Sequence, residues 1–139
     1  MPTTIRSMTP TDIPAVLDLW RASEGMGLGF SDTIEQVTVH LARNPDLSLV
    51  ALDGPEIVGA ILCGHDGRRG FLHHLAVAPP YRRQGIGRAL VDRAIAGLRR
   101  EGILRSHILV FANNAAAITF WGRLGWSLRD YLRIMTRDV

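Results

Sequence analysis

Between Pro79 and Leu90 the chain reads Pro-Pro-Tyr-Arg-Arg-Gln-Gly-Ile-Gly-Arg-Ala-Leu. Three arginines, Arg82, Arg83 and Arg88, flank the two glycines Gly85 and Gly87, and this combination suits an anion. Glycine lets the main chain approach a ligand with no Cβ in the way. Guanidinium groups supply charge and forked donors. No lysine occurs anywhere in the chain, so the Gly-Lys-Ser/Thr ending of a nucleotide-binding P-loop is missing. Position 90 is Leu, which removes the third glycine of a dinucleotide fingerprint. No His/Cys/Asp/Glu set has metal-ligand spacing, and no Gly-x-Ser-x-Gly elbow is present. The spacing Arg82-x-x-Gly85-x-Gly87 is what remains.

The elements around this run make it an anion site rather than a turn. Gly70 to Ala78 is apolar and β-prone and is bounded by glycine and proline, so it reads as a strand. Leu90, Val91, Ala94, Ile95 and Leu98 then recur at helical spacing. Where a strand turns into a helix, several N–H groups lack intrahelical acceptors and the positive end of the helix dipole lies behind them. Phosphate fits such a place.

Taken in order, the chain opens on a short strand at Thr4-Ile5-Arg6. Thr9-Pro10-Thr11-Asp12 starts a helix carrying Ile13, Val16, Leu17 and Trp20 inward. Ser23 to Phe30, with Gly25, Gly27 and Gly29, reads as a loop. Ser31 or Asp32 is expected to cap a second helix with Ile34, Val37 and Leu41 inward, stopped at Asn44-Pro45. Leu47 to Leu52 and Glu56 to Gly64 read as a hairpin about Asp53-Gly54-Pro55. His65 and Asp66 stand in a polar turn and read as solvated. After the long helix, which ends near Glu101 with Gly102 as a left-handed cap, Ser106 to Phe111 is a strand. Asn113 or Asn114 caps a short helix, and Trp126 to Thr136 is expected to close the chain as one or two strands.

The run from Leu75 to Leu90, with Arg82-x-x-Gly85-x-Gly87 at its centre, resembles the acetyl-CoA diphosphate loop of the GCN5-related N-acetyltransferase (GNAT) superfamily. A second stretch is similar to that family's C-terminal pattern: Asn114-x-x-Ala117-x-x-Phe120-Trp121-x-x-Leu124-Gly125-Trp126. The resemblance spans essentially the whole chain. It implies an α/β (α+β) fold of order β-α-α-β-β-β-α-β-α-β, with a mostly antiparallel central sheet splayed between the strands at 70–78 and 106–111. It also implies acetyl transfer from acetyl-CoA to a primary amine in a ternary complex. Arg82, Arg83, Gln84, Gly85, Ile86, Gly87 and Arg88 would hold the diphosphate. Leu75, Ala76 and Val77 would hold the thioester and pantetheine through N–H groups freed by a bulge, with Asn114 and Phe120 along the pantetheine arm.

An amine with a pKa near ~10 must lose a proton to attack. Some family members place a base on the strand before the loop. Alternation sends His73 and His74 to opposite faces, and His73 shares parity with Leu75 and Val77, so His73 is the candidate base. Glu24, in the glycine-rich loop, is the substrate-side alternative. Many family members have a tyrosine acid where this chain has Trp121, whose indole cannot donate a proton in the useful range. That departure keeps open a non-catalytic module that binds acetyl-CoA or CoA. Tyr131 is a substitute acid with weak support.

Length and composition bound the rest. At 139 residues, 47% hydrophobic and 21% charged, the chain is expected to form one domain, 1–139. There is no apolar run of membrane-spanning length and no signal-peptide core, and the single cysteine, Cys63, suits a reducing compartment, so a cytoplasmic setting is expected. The net charge of +3 is carried entirely by arginine on the basic side, but no long basic run interleaves with aromatics, which argues against nucleic acid. The expected partners are a small-molecule or peptide amine; a homodimer through the C-terminal strands is compatible with the fold.

Overall fold

The computed structural model describes residues 3–139. It divides into two compact units, Met1–Leu109 and Val110–Val139. The first holds a five-stranded sheet in the order β1-β2-β3-β4-β5, built from β1 (Thr4–Ser7), β2 (Leu49–Asp53), β3 (Glu56–His65), β4 (Gly70–Val77) and β5 (Ser106–Ile108). The first four pair antiparallel; β5 runs parallel to β4 over Gly70–Leu72 only. Beyond Leu72 that edge of β4 has no ladder partner among the described residues. The expected splay is therefore present, and β5 is shorter than the apolar run suggested.

Two helical layers cover the sheet. Helices α1 (Ile13–Arg21) and α2 (Ile34–Arg43) bury Ile13, Val16, Leu17, Trp20, Val37 and Leu41 against Val50, Leu52, Ala60, Leu62 and Ala76. Helix α3 (Ile86–Arg100) covers the other face, its Ile86, Leu90 and Leu98 lying against Gly59 and Gly70. At Gly70 a Cβ would come within 2.6 Å of Leu98 Cδ1, so helix and strand approach closely only because no side chain stands there. No helix among the described residues is long and apolar enough to cross a membrane.

The helix starts follow their local chemistry. Asp12 Oδ2 accepts from the Thr9 N–H at 2.8 Å and from Arg6 Nη1 at 2.7 Å, so the expected capping residues are joined by a cation from β1. Helix α2 is capped by Thr33, whose Oγ1 accepts from the Gln36 N–H, and not by Ser31 or Asp32. Its first residue, Ile34, expected inward, is half exposed because it stands at the open end of the apolar stripe, ahead of Val37 and Leu41. Asp32 is engaged elsewhere, as described below. His65 is not solvated but paired: its Nε2–H donates to Glu101 Oε1 at 2.7 Å while Nδ1 accepts from the Gly67 N–H.

Just before β2 begins, a buried side chain extends its ladder. Ser48 Oγ accepts from the Cys63 N–H at 2.9 Å and donates to the Cys63 carbonyl at 3.3 Å, and His40 Nε2 donates to the same carbonyl. Cys63 is a fully buried, free thiol whose pKa burial pushes up to about 12.

The second unit contains α4 (Ala115–Arg123), capped by Asn114, whose Oδ1 accepts from the Ala117 N–H at 3.1 Å. Trp121 is buried here, edge-on to both Phe120 and Trp126. The closing strand expected over Trp126 to Thr136 does not form. The Leu132 N–H donates to the Arg129 carbonyl, a turn in the middle of the stretch, and Leu128, Ile134 and Met135 are exposed. Apolar and β-branched residues favour a strand only where a partner strand supplies a ladder.

Replacing Ser48 by Ala would leave the Cys63 N–H and carbonyl buried with their second-strand partner gone. We expect a loss of about 1–3 kcal/mol in urea unfolding, against less than ~0.5 kcal/mol for an exposed control such as Ser31→Ala.

Candidate active site

The arginine-glycine run folds into a turn of alternating handedness. Pro79–Tyr81 make one 3-10 turn, anchored by Tyr81 OH donating to Asp53 Oδ2 at 2.5 Å. Arg83 and Gly85 then adopt left-handed conformations, φ +62° and +83°. Gly85 is the N-cap of α3 and offers no side chain to the helix end. The first N–H to enter the helix ladder is that of Ala89, on the Gly85 carbonyl. Among the described residues no hydrogen-bond acceptor serves the N–H groups of Arg83, Gln84, Gly85, Ile86, Gly87 or Arg88. Six successive donors are thus open at the positive end of a helix of 15 residues. A Cβ built on Gly85 would meet nothing within 4 Å, so the space above the turn is clear.

The side chain of Arg82 does not share this opening. Its Nε donates to the Val77 carbonyl at 2.8 Å, and Nη1 and Nη2 each donate to one oxygen of Glu24 at 3.1 Å. The same guanidinium holds the Glu24 carboxyl below its usual range. Arg88 Nε stands 3.9 Å from Asp92 Oδ2, a loose pair one turn along α3.

Strand β4 carries a bulge. Ala76 pairs with Ala60 but His73 pairs with Leu62, so β4 spends three residues where β3 spends two. His74 takes the strain, with φ +54°. The extra residue breaks the alternation on which the parity of the two histidines rested. Leu72 and Ala76, four apart, would share a face in a regular strand; here the offset of one residue separates them. Both His73 and His74 therefore face the α1–α2 layer, with ring centroids 6.1 Å apart, and the expected opposition of the pair is corrected. His74 Nε2–H donates to Asp32 Oδ1 at 2.9 Å, its ring lies 5.0 Å from that of Trp20, and Asp32 Oδ2 accepts from the Gly29 N–H. His73 stacks on Phe71 at 6.0 Å. Burial, then the neighbouring His74 and His40, lower its pKa from 6.5 to about 4.

The family model described as "Acetyltransferase (GNAT) family" matches residues 13–126. The chain belongs to the GNAT acetyltransferase family. An acetyltransferase of Pectobacterium atrosepticum is 32% identical over 135 residues, covering 97% of this chain and 95% of that one. Among solved structures, the PaiA N-acetyltransferase of Thermoplasma acidophilum in complex with coenzyme A superposes with a TM-score of 0.83 at 20% identity, over 94% of this chain and 92% of the other. The ribosomal-protein-S18-alanine N-acetyltransferase of Escherichia coli gives 0.75 at 26% identity, over 89% and 77%.

In this GNAT chain the first unit brings together the turn 82–88, the β4 edge at Leu75, Ala76 and Val77, the two histidines and Glu24. Asp32 was not picked out as a site residue; it reaches His74 across 42 positions, and nothing in the sequence marks the pairing. Asp32 also lines a cavity of about 500 Å³ with Leu17, Leu28, Gly29, Ile34 and Glu35. In the second unit Asn114 is committed to its cap, Phe120 is half-buried, and Tyr131 is exposed with its OH accepting from Arg129 Nη1. No group of three His, Cys, Asp or Glu side chains among the described residues could hold a metal.

The depressed His73 titration has a stability consequence. Below pH 6.5 the unfolded chain takes up a proton that the folded chain refuses until about pH 4, so stability falls as pH drops through that window and is level above it. The full effect is on the order of 3 kcal/mol. His40, also lowered by burial, adds a term of the same sign. Urea midpoints at pH 7 and pH 4.5 should therefore converge in His73→Asn relative to the parent chain; an equal drop in both would show that His73 is not held neutral.

Proposed function

We propose that this GNAT protein transfers the acetyl group of acetyl-CoA to a primary amine, both bound at once. The observation that carries the reading is the row of six open N–H groups from Arg83 to Arg88 at the start of α3. A diphosphate offers the density of acceptors that such a row requires. Arg83 and Arg88 add charge beside it. The fold is the one that accompanies coenzyme A in the PaiA structure.

Acetyl-CoA supplies an activated acyl carbon whose leaving group is a thiolate, tolerable in water without a dedicated acid because a thiol has a pKa near ~8.5. The replacement of the family's tyrosine by a buried Trp121 is then no bar to turnover. The unpaired β4 edge at Leu75 to Val77 offers main-chain groups to the thioester carbonyl and the pantetheine arm. A nitrogen–carbon bond forms as the carbon–sulfur bond breaks, and the proton lost by the amine nitrogen goes to the departing thiolate, directly or through water.

Neither expected base is well suited to take that proton from an ammonium ion. Glu24 is held by Arg82. His73, at about 4, would have to accept it across roughly six pKa units. We assign His73 instead the role of a neutral acceptor that orients an amine arriving in its unprotonated form. Alignment of the two reactants, worth up to roughly 7–11 kcal/mol, supplies most of the acceleration.

Two measurements test this. Isothermal titration with coenzyme A should show binding that weakens at least ~10-fold in Gly85→Val, whose β-branched side chain disfavours the left-handed turn and shades the N–H row. Absence of any heat with the parent chain at millimolar coenzyme A would sink the reading. Thiol release from acetyl-CoA across a panel of primary amines should give a log(kcat/KM) that climbs with unit slope toward the pKa of the amine, with no inflection near pH 6.5. His73→Asn should cost about ten-fold or less; a loss of ~1,000-fold would restore His73 as a base.

A further inference from the structure

The Arg82 side chain, first residue of the diphosphate-loop pattern, is turned away from that task. Three of the five donors of its guanidinium are spent: Nε on the Val77 carbonyl at the end of β4, and the two terminal nitrogens on the two oxygens of Glu24. A fork-to-fork arrangement of this kind has both geometric specificity and charge neutralisation. It joins the last residue of the donor-side strand to the loop that follows α1, across 58 positions of sequence.

That loop runs into the cavity wall. Ser23 is fastened to α1 through its N–H on the Trp20 carbonyl and its Oγ on the Leu19 carbonyl, and Met26 and Leu28 pack on the core. Gly25, at φ +71°, turns the chain directly after Glu24. Leu28 and Gly29 then line the cavity of about 500 Å³ beside Asp32, whose other oxygen holds His74. Between Ser23 and Met26 no other hydrogen bond of the loop to the sheet is present among the described residues, so Glu24 is where this segment is tied to β4.

We propose that Arg82 and Glu24 form a strap that orders the 22–29 loop beside the cavity at Asp32, which would receive the acceptor amine, Arg82 acting as a positioning residue and the main chain of 83–88 alone gripping the diphosphate. The strap rests on the acetyltransferase reading for its purpose, but its existence can be tested without it. Glu24 is then neither a base nor a substrate ligand; it holds the wall against which the amine is placed. Arg82 contributes through the loop, not through the phosphates.

Amide hydrogen exchange of the 22–29 loop and titration with coenzyme A separate the strap from a phosphate role. For Glu24→Gln, Arg82→Gln and Arg82→Lys, exchange in the loop should quicken by roughly three- to five-fold, the scale of one exposed forked ion pair. The double variant Glu24→Gln/Arg82→Gln should show no more than either single change. Coenzyme A affinity should stay within about two-fold throughout. For the most reactive amine of the panel, its KM should rise several-fold while the KM for acetyl-CoA is unmoved, a split that general loosening of the fold would not give. If Arg82 is a phosphate ligand, Arg82→Gln weakens coenzyme A about ten-fold, Arg82→Lys largely restores it, Glu24→Gln tightens it by freeing the guanidinium, and the loop amides do not change. That pattern would overturn the strap. Failure of the parent chain to bind coenzyme A would instead defeat the acetyltransferase reading, with the exchange data still deciding whether the strap exists.

Discussion

One extra residue in β4 organises the active side of this molecule. With His74 held at φ +54°, the strand changes parity partway along, which keeps Leu72 and Ala76 both buried although a regular strand would place them on one face. A non-glycine residue in the left-handed region costs roughly 1–2 kcal/mol. Here the cost is offset by a bond to Asp32 at 2.9 Å, by Trp20 against the ring, and by the low exposure of both partners, 18% and 12% of their side chains. The bulge also lies just beyond the point where β5 leaves β4, so the edge that begins at His73 is both unpaired and bent. Strain and open main chain are found together, as they commonly are where a protein must meet a ligand.

The neighbouring turn divides its work between main chain and side chain. With left-handed residues at 83 and 85, a series of N–H groups at the start of α3 is left without main-chain acceptors among the described residues, where the helix dipole reinforces them. Backbone donors of this sort are fixed before a ligand arrives, so little ordering is needed on binding. The guanidinium at position 82 is not part of this row, for it spans from Val77 to Glu24. Arg88, in the first turn of α3, has only a loose partner in Asp92 at 3.9 Å.

The arginine-glycine turn and its flanks are legible in the chain because they are local. Strand, glycine turn and helix follow within about twenty positions, and each is specified by residues adjacent to it. The same holds for the Thr9–Asp12 start of α1, the Asn114 cap of α4 and the left-handed Gly102 after α3. Readings that failed needed information from elsewhere. Asx residues favour caps, yet the Asp32 carboxylate serves β4 and Gly29, leaving Thr33 to cap α2. The polar neighbours of His65 point to a solvated side chain, whereas Glu101 comes to it from the end of α3. The apolar residues after Trp126 carry strand propensity, yet a strand is defined by its ladder, and propensity cannot supply one.

Composition, glycine placement and apolar spacing thus settled that the chain would fold as a mixed α/β sheet protein with a strand-to-helix glycine turn between residues 82 and 88, since each of those features is encoded within a few neighbouring residues. Folding in three dimensions settled which way the histidines face, what Arg82 and Glu24 do, and how basic His73 can be. A single-residue slip in pairing reverses every side chain beyond it. A hydrogen bond across 42 positions and an ion pair across 58 exist only once the sheet has assembled, and a pKa of about 4 is a property of burial, which no residue carries alone.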